Sequence, residues 1–171
     1  MNGPGTGTGP THKNYWGPRL WRILHTLSCS PSAGALRDRV QQVDERALWA
    51  QVLKLTAHIM PCAVCSAHYK DWLFRTHIVK NIGNASSNIK ELVRGSLYDL
   101  HCMVNEANSV SPPNPIPYSE LEAAYPGPGF RPAYGELGYT FDGALAARLL
   151  KPDDVKTWRR TVERLAILYG L

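Results

Sequence analysis

Apolar residues recur at intervals of three and four through most of the chain, the signature of helices buried on one face. Leu20, Leu24 and Leu27 predict a first helix, opening at Tyr15-Trp16-Gly17-Pro18 with Gly17 as N-cap and Pro18 at the first helical position. A Ser/Pro/Gly break follows at 30–34. Leu48, Val52, Leu55 and Ile59 then predict a second helix, capped by Asp44 and ending at Met60, which Pro61 biases away from helical geometry. The third helix starts afresh around Pro61 and runs to about His77, with Cys62, Cys65, Tyr69 and Trp72 on one face. Residues 81–88 read as a polar turn, and Val93, Leu97, Leu100 and Val104 mark a fourth helix from about Asn88 to Asn108. Ser111 to Pro117 is proline-rich and ends it. Ser119-Glu120-Leu121-Glu122 reads as a capping box opening a short fifth helix. The Gly-, Pro- and aromatic-rich stretch 125–138 predicts an irregular ordered loop. Two further helices follow at 142–150 and 153–169, the last with Val155, Trp158, Val162, Leu165 and Leu168 on its apolar face. No strand pattern and no internal repeat interrupts this reading: the fold class is all-α, a helical bundle with additional C-terminal helices.

Composition narrows the class. A chain of 171 residues, 44% hydrophobic, buries a core of its own and is ordinary for a globular protein. No apolar run reaches the ~20 residues of a membrane span. Met1 to Pro10 is rich in Gly, Thr and Pro without an apolar segment; the expectation is a flexible tail over 1–13 and no signal peptide. Four cysteines are too few for a stapled secreted module, which favours a cytoplasmic setting where a disulfide is present for chemistry. The net charge of +5 arises from scattered Lys and Arg, so a nucleic-acid interface is not expected.

Chemistry concentrates in three places. Cys62 and Cys65 stand three positions apart at a helix start, where unpaired N–H groups stabilise a thiolate and the spacing allows a disulfide to open and close. The CxxC by itself fits a redox pair, half of a zinc site, or incidental buried cysteines. A thioredoxin-type setting is unlikely on residue grounds, because the approach to the motif is helical rather than a strand. On the first helix Trp21, His25 and Cys29 recur every fourth residue. On the fourth, His101, Asn105 and Asn108 stand beside the apolar stripe, a line of one imidazole and two carboxamides suited to hydrogen-bonding a polar planar ligand.

Together the motifs WGxxLWxxLH (16–25), PCxxCxxHY (61–69) and HxxVN (101–105), in that order and each on a helix, resemble the Erv/ALR family of FAD-dependent sulfhydryl oxidases. The opening Trp-Gly-Pro-Arg-x-Trp and the compact spacing are most similar to the versions encoded by large DNA viruses. The resemblance covers about residues 14–126 and implies a four-helix bundle with a short fifth helix clasping FAD, followed by a helical extension over 127–171. By the same resemblance Trp21, His25, His101 and Asn105 would contact adenine and ribose, and Gly17 and Arg19 would lie where a first loop meets the cofactor. Tyr69, one turn beyond the second thiol, Val104 and Asn108 complete the implied cofactor set. The chain also departs from the pattern: Cys102 stands where the family usually has Asn, and a basic residue after that helix is not evident. The family's structural cysteine pair and mobile shuttle pair are absent too, leaving only Cys29 and Cys102 besides the CxxC, as two buried thiols or a bridge.

The activity implied is a thiol oxidase. A reduced protein substrate or relay dithiol attacks the Cys62–Cys65 disulfide, and its electrons pass through FAD to molecular oxygen, giving hydrogen peroxide. A homodimer is the family's usual state. The rivals from the residues alone are a zinc module using Cys62, Cys65, His68 and His77, and a non-enzymatic helical adaptor.

Overall fold

Three long stretches are described by the computed structural model, residues 9–30, 39–85 and 89–171, and all regular structure in them is helical. Eight α-helices follow one another: α1 (Lys13–Cys29), α2 (Arg39–Thr56), α3 (Ala63–Thr76), α4 (Ile78–Asn84), α5 (Ile89–Ala107), α6 (Leu121–Ala124), α7 (Phe130–Ala146) and α8 (Pro152–Tyr169). Short 3₁₀ turns at Tyr118–Glu120 and Gly127–Gly129 flank α6. No helix among the described residues is long and apolar enough to cross a membrane.

Each long helix forms because its apolar stripe finds a partner. α1 packs mainly against α7 and α5, and α2 against α8 and α4. The stripes meet in one core that contains Leu20, Leu24 and Leu27 of α1, Leu48, Trp49 and Val52 of α2, Val93 and Leu97 of α5, Phe130 and Phe141 of α7, and Trp158 and Val162 of α8. Residues on both sides of position 126 therefore share one interior. Two polar tethers reinforce the α2–α8 contact: Trp158 Nε1 donates to Thr56 Oγ1 at 3.0 Å, and Trp49 Nε1 to the Tyr169 hydroxyl at 2.7 Å. That hydroxyl donates in turn to Glu45, so the buried polar atoms satisfy one another.

Several expected boundaries are corrected. α1 begins at Lys13, with the His12 side chain accepting from the Asn14 N–H, so Gly17 and Pro18 lie inside the helix. Pro18 falls early enough that little of the hydrogen-bond ladder is lost to it. Residues 9–12 are not a free tail, since Thr140 Oγ1 of α7 donates to Pro10 O at 2.9 Å; residues 1–8 lie outside the described residues. Asp44 is interior to α2, which ends at Thr56, four residues before Met60. The expected polar turn at 81–88 is largely α4, because Ile78 and Ile82, one turn apart, both reach the core; 86–88 lie outside the described residues. Pro117 caps the 3₁₀ turn and Glu120 caps α6, neither with a side-chain bond, so the Ser119 box does not form. Most of the expected loop 125–138 is the first half of α7, whose Phe130, Ala133, Tyr134 and Leu137 are buried at helical spacing. Pro132 sits in its first turn, where proline is tolerated. Of the helix expected at 142–150, residues 142–146 are the end of that same helix and 147–150 are a turn.

Candidate functional site

Cys62 is the N-cap of α3, one position short of its expected place within the helix, and its Sγ accepts the Cys65 N–H at 3.1 Å. The two cysteines form a disulfide with Cα atoms 5.3 Å apart. Both residues are half-buried, while Ala63 and Val64 beside them are exposed, so the bond lies at the surface. The pair is held from below by α2 and the residue that follows it: Ser66 Oγ donates to Ala57 O at 2.6 Å, and the Tyr69 hydroxyl to Leu53 O at 3.0 Å. Tyr69 and Trp72 are both buried, with ring centroids 5.4 Å apart. Tyr69 thus stands in the interior beneath the thiols, and burial raises its hydroxyl well above the usual phenol range.

A second constellation joins α1 to α5. His25 Nε2 and His101 Nδ1 are 3.0 Å apart, and Trp21 stacks on His101 with centroids 4.1 Å apart and planes inclined by 12°. Tyr125, just after α6, stacks on the other imidazole at 4.6 Å from His25. Four rings from three separate segments form one cluster. Trp21 and His101 are in ring contact, so a planar ligand adds to an outer face of the stack or displaces one member. His25 is fully buried, and burial, followed by the proximity of His101, lowers its pKa to about 3. Burial lowers His101 to about 4. Both imidazoles are therefore neutral at pH 7, each with one donor and one acceptor nitrogen.

The cluster is not self-sufficient in hydrogen bonds. His25 Nδ1 and Thr26 Oγ1 are buried without a partner among the described residues. An orphan of this kind costs about 1–3 kcal/mol, which a ligand that bonded to it would recover. The remaining expected ligand contacts are looser. Asn105 is half-buried, Asn108 is exposed and accepts from Lys13 Nζ at 2.7 Å, and Val104 is 37% exposed, off the core stripe assigned to it. Gly17 is half-buried within α1 rather than in a loop, and a Cβ there would meet nothing within 4 Å. Arg19 lies across the Tyr15 ring at 3.8 Å and pairs with Glu136 of α7 at 2.7 Å.

Cys29 is buried in a small satellite core with Leu121 and Tyr125, and burial raises its thiol pKa. Cys29 and Cys102 are both free thiols, so no bridge joins them, but against the expectation of two buried thiols Cys102 is only half-buried. The four-ligand zinc set does not assemble. His77, in left-handed conformation at the far end of α3, is about 20 Å along the helix axis from Cys62, and His68 is exposed. Among the described residues no three metal-ligating side chains converge.

Tyr125 and its neighbour Arg22 are the residues that motif reading missed. Their place depends on how 118–129 folds back over α1, which no local pattern encodes. Arg94 fixes that fold: it pairs with Glu91 of its own helix and Glu122 of α6, both at 2.5 Å, and donates to the Tyr118 hydroxyl. No family model matches the chain, and neither a curated protein nor a solved structure matches it.

Proposed function

We propose that the chain is an FAD-dependent thiol oxidase in which Cys62–Cys65 is the redox pair and the Trp21/His25/His101 cluster holds part of the cofactor. The observation that carries the reading is the cluster itself. Two motifs far apart in sequence, WGxxLWxxLH and HxxVN, converge into one stack of neutral heteroaromatic rings with an orphaned buried nitrogen. A purine face and its ring nitrogens meet those requirements, so the residues fit a flavin dinucleotide. Trp21 would stack on adenine, His25 and His101 would hydrogen-bond it, and half-buried Asn105 would reach the ribose. FAD, when bound, would take the electron pair from the reduced Cys62–Cys65 dithiol and deliver it to oxygen as hydrogen peroxide.

The chain's own residues carry the rest. A substrate thiolate attacks Cys62 Sγ; the substrate–Cys62 bond forms as the Cys62–Cys65 bond breaks, and Cys65 leaves as a thiolate in the first turn of α3, where the helix N–H groups stabilise it. A second substrate thiol then displaces Cys62, releasing the oxidised substrate and leaving the reduced pair. Cys29, buried with a raised pKa, stays protonated and outside this exchange. With dithiothreitol and air, the chain loaded with FAD should consume oxygen and produce an equal amount of peroxide. Cys62→Ser and Cys65→Ser should each abolish turnover. Undiminished turnover in either variant would exclude this pair as the redox centre.

A further inference from the structure

Outside the aromatic cluster, α1 and α7 enclose a groove of about 370 Å³ whose walls include Pro18, Arg19, Arg22, Gly129, Pro132 and Glu136. Its two arginines differ in what they do. Arg19 is ion-paired and stacked: Nε lies 2.7 Å from Glu136 Oε2, Nη1 donates to Tyr15 O at 2.7 Å, and the guanidinium covers the Tyr15 ring. Arg22 has no carboxylate within ion-pair distance among the described residues. Its guanidinium carbon is 5.6 Å from the centre of the Tyr125 ring, and its Nη1 lies against Gly129, only 3.2 Å from where a Cβ would stand. The missing side chain at Gly129 is what lets the guanidinium settle against the start of α7.

We propose that this groove is a phosphate-binding site with Arg22 as its principal cation. A guanidinium without a counter-ion, at the wall of a concave surface stiffened by two prolines, presents a planar fork that matches phosphate oxygens two at a time. With Arg19 neutralised by Glu136, the groove keeps one net positive charge. A phosphate that entered would compete with Glu136 for Arg19 and gain a second cation. Tyr125 stands between the groove's Arg22 and the aromatic cluster, its ring 5.6 Å from the guanidinium carbon and 4.6 Å from the His25 ring. The phosphate has two sources under this geometry. It is free in solution, or it belongs to a nucleotide whose base stacks on Trp21 and bonds to His101; the second source rests on the cofactor reading above.

The test is calorimetric titration of the full chain at low ionic strength with pyrophosphate and, separately, with ADP. Losing charge-assisted hydrogen bonds of about 1.5–3 kcal/mol, Arg22→Gln should weaken pyrophosphate binding about tenfold or more. Glu136→Gln should tighten it by removing the competing carboxylate. Lys70→Gln, an equal charge loss at an exposed position of α3, should leave it unchanged. If ADP binds more tightly than pyrophosphate and loses that advantage in His101→Ala, one nucleotide spans cluster and groove. If ADP matches pyrophosphate and ignores His101→Ala, the phosphate site stands without the cofactor reading. The proposal is overturned if wild type binds no pyrophosphate, if Arg22→Gln binds as well as wild type, or if Lys70→Gln is equally weakened.

Discussion

His25 and His101 meet at 3.0 Å without charge, and that neutrality has a consequence for stability. An imidazole in the unfolded chain takes up a proton near pH 6.5, whereas these two resist until about 3 and about 4. Between pH 6.5 and about 4 the unfolded state binds more protons, so acidification favours unfolding there; above pH 6.5 the contribution to stability is fully present. For the buried His25 the limiting slope is about 1.4 kcal/mol per pH unit. Thermal unfolding followed from pH 7 to 4 should show a steep fall in Tm that His25→Gln flattens, and an equal fall in that variant would remove these imidazoles as its cause. Cys29 and Cys102 offer a second check: Cys29→Ser/Cys102→Ser should oxidise a small dithiol at near the wild-type rate, and a loss as large as that of Cys62→Ser would give the two thiols a relay role. At this scale much of the cluster could be read from spacing. Trp21, His25 and Cys29 share an i, i+4 line, and His101 begins a similar one. Tyr125 and Arg22 could not, because their meeting depends on how 118–129 folds back, through the Arg94 contacts with Glu122 and Tyr118 and the packing of Cys29 with Leu121 and Tyr125.

Element identities were legible where one stripe dominates and obscured where glycine and proline sit on an otherwise helical pattern. In α8 four of the five expected positions, Val155, Trp158, Val162 and Leu165, are buried, and Leu168 is half-buried. In α7 the same spacing was present in Phe130, Ala133, Tyr134 and Leu137, but Gly127, Gly129, Pro132, Gly135 and Gly138 suggested irregular backbone. Burial of the aromatic and aliphatic positions outweighs the weak propensity of those glycines, each costing about 1 kcal/mol relative to alanine. The start of α3 was located to within two residues, from the break that Pro61 imposes on Met60. There the Cys62 sulfur serves as cap as well as reactant. Cys62→Ser keeps an acceptor at that position and should leave stability of the reduced protein near that of reduced wild type. Cys62→Ala should lose about 1 kcal/mol, measurable by urea unfolding under reducing conditions. Equal stability of the two variants would remove the cap from the description.

At the scale of the molecule, the C-terminal helices are core partners of the first two rather than an appended surface. The apolar face of α8 is buried against its own chain, with Trp158 and Val162 fully enclosed. Sequence could list the apolar face but not choose what covers it, because that choice depends on the path of 109–152 around α1. Trp158→Ala should destabilise by about 3–5 kcal/mol through lost contacts and a residual cavity. A chain ending at 126 should fail to give a cooperative melt. A truncated protein that unfolds like the full chain would restore the view of 127–171 as a separate extension.

Bound flavin and its response to dithiol test the central claim most directly. Full-length protein mixed with FAD and freed of unbound cofactor should be yellow, as should Cys65→Ser, whereas His101→Ala should retain little colour. Without air, dithiol should bleach the wild-type flavin but not that of Cys65→Ser, and admitting oxygen should restore the wild-type colour. A colourless wild type, a His101→Ala variant with full flavin occupancy, or a bound flavin indifferent to dithiol would each contradict it.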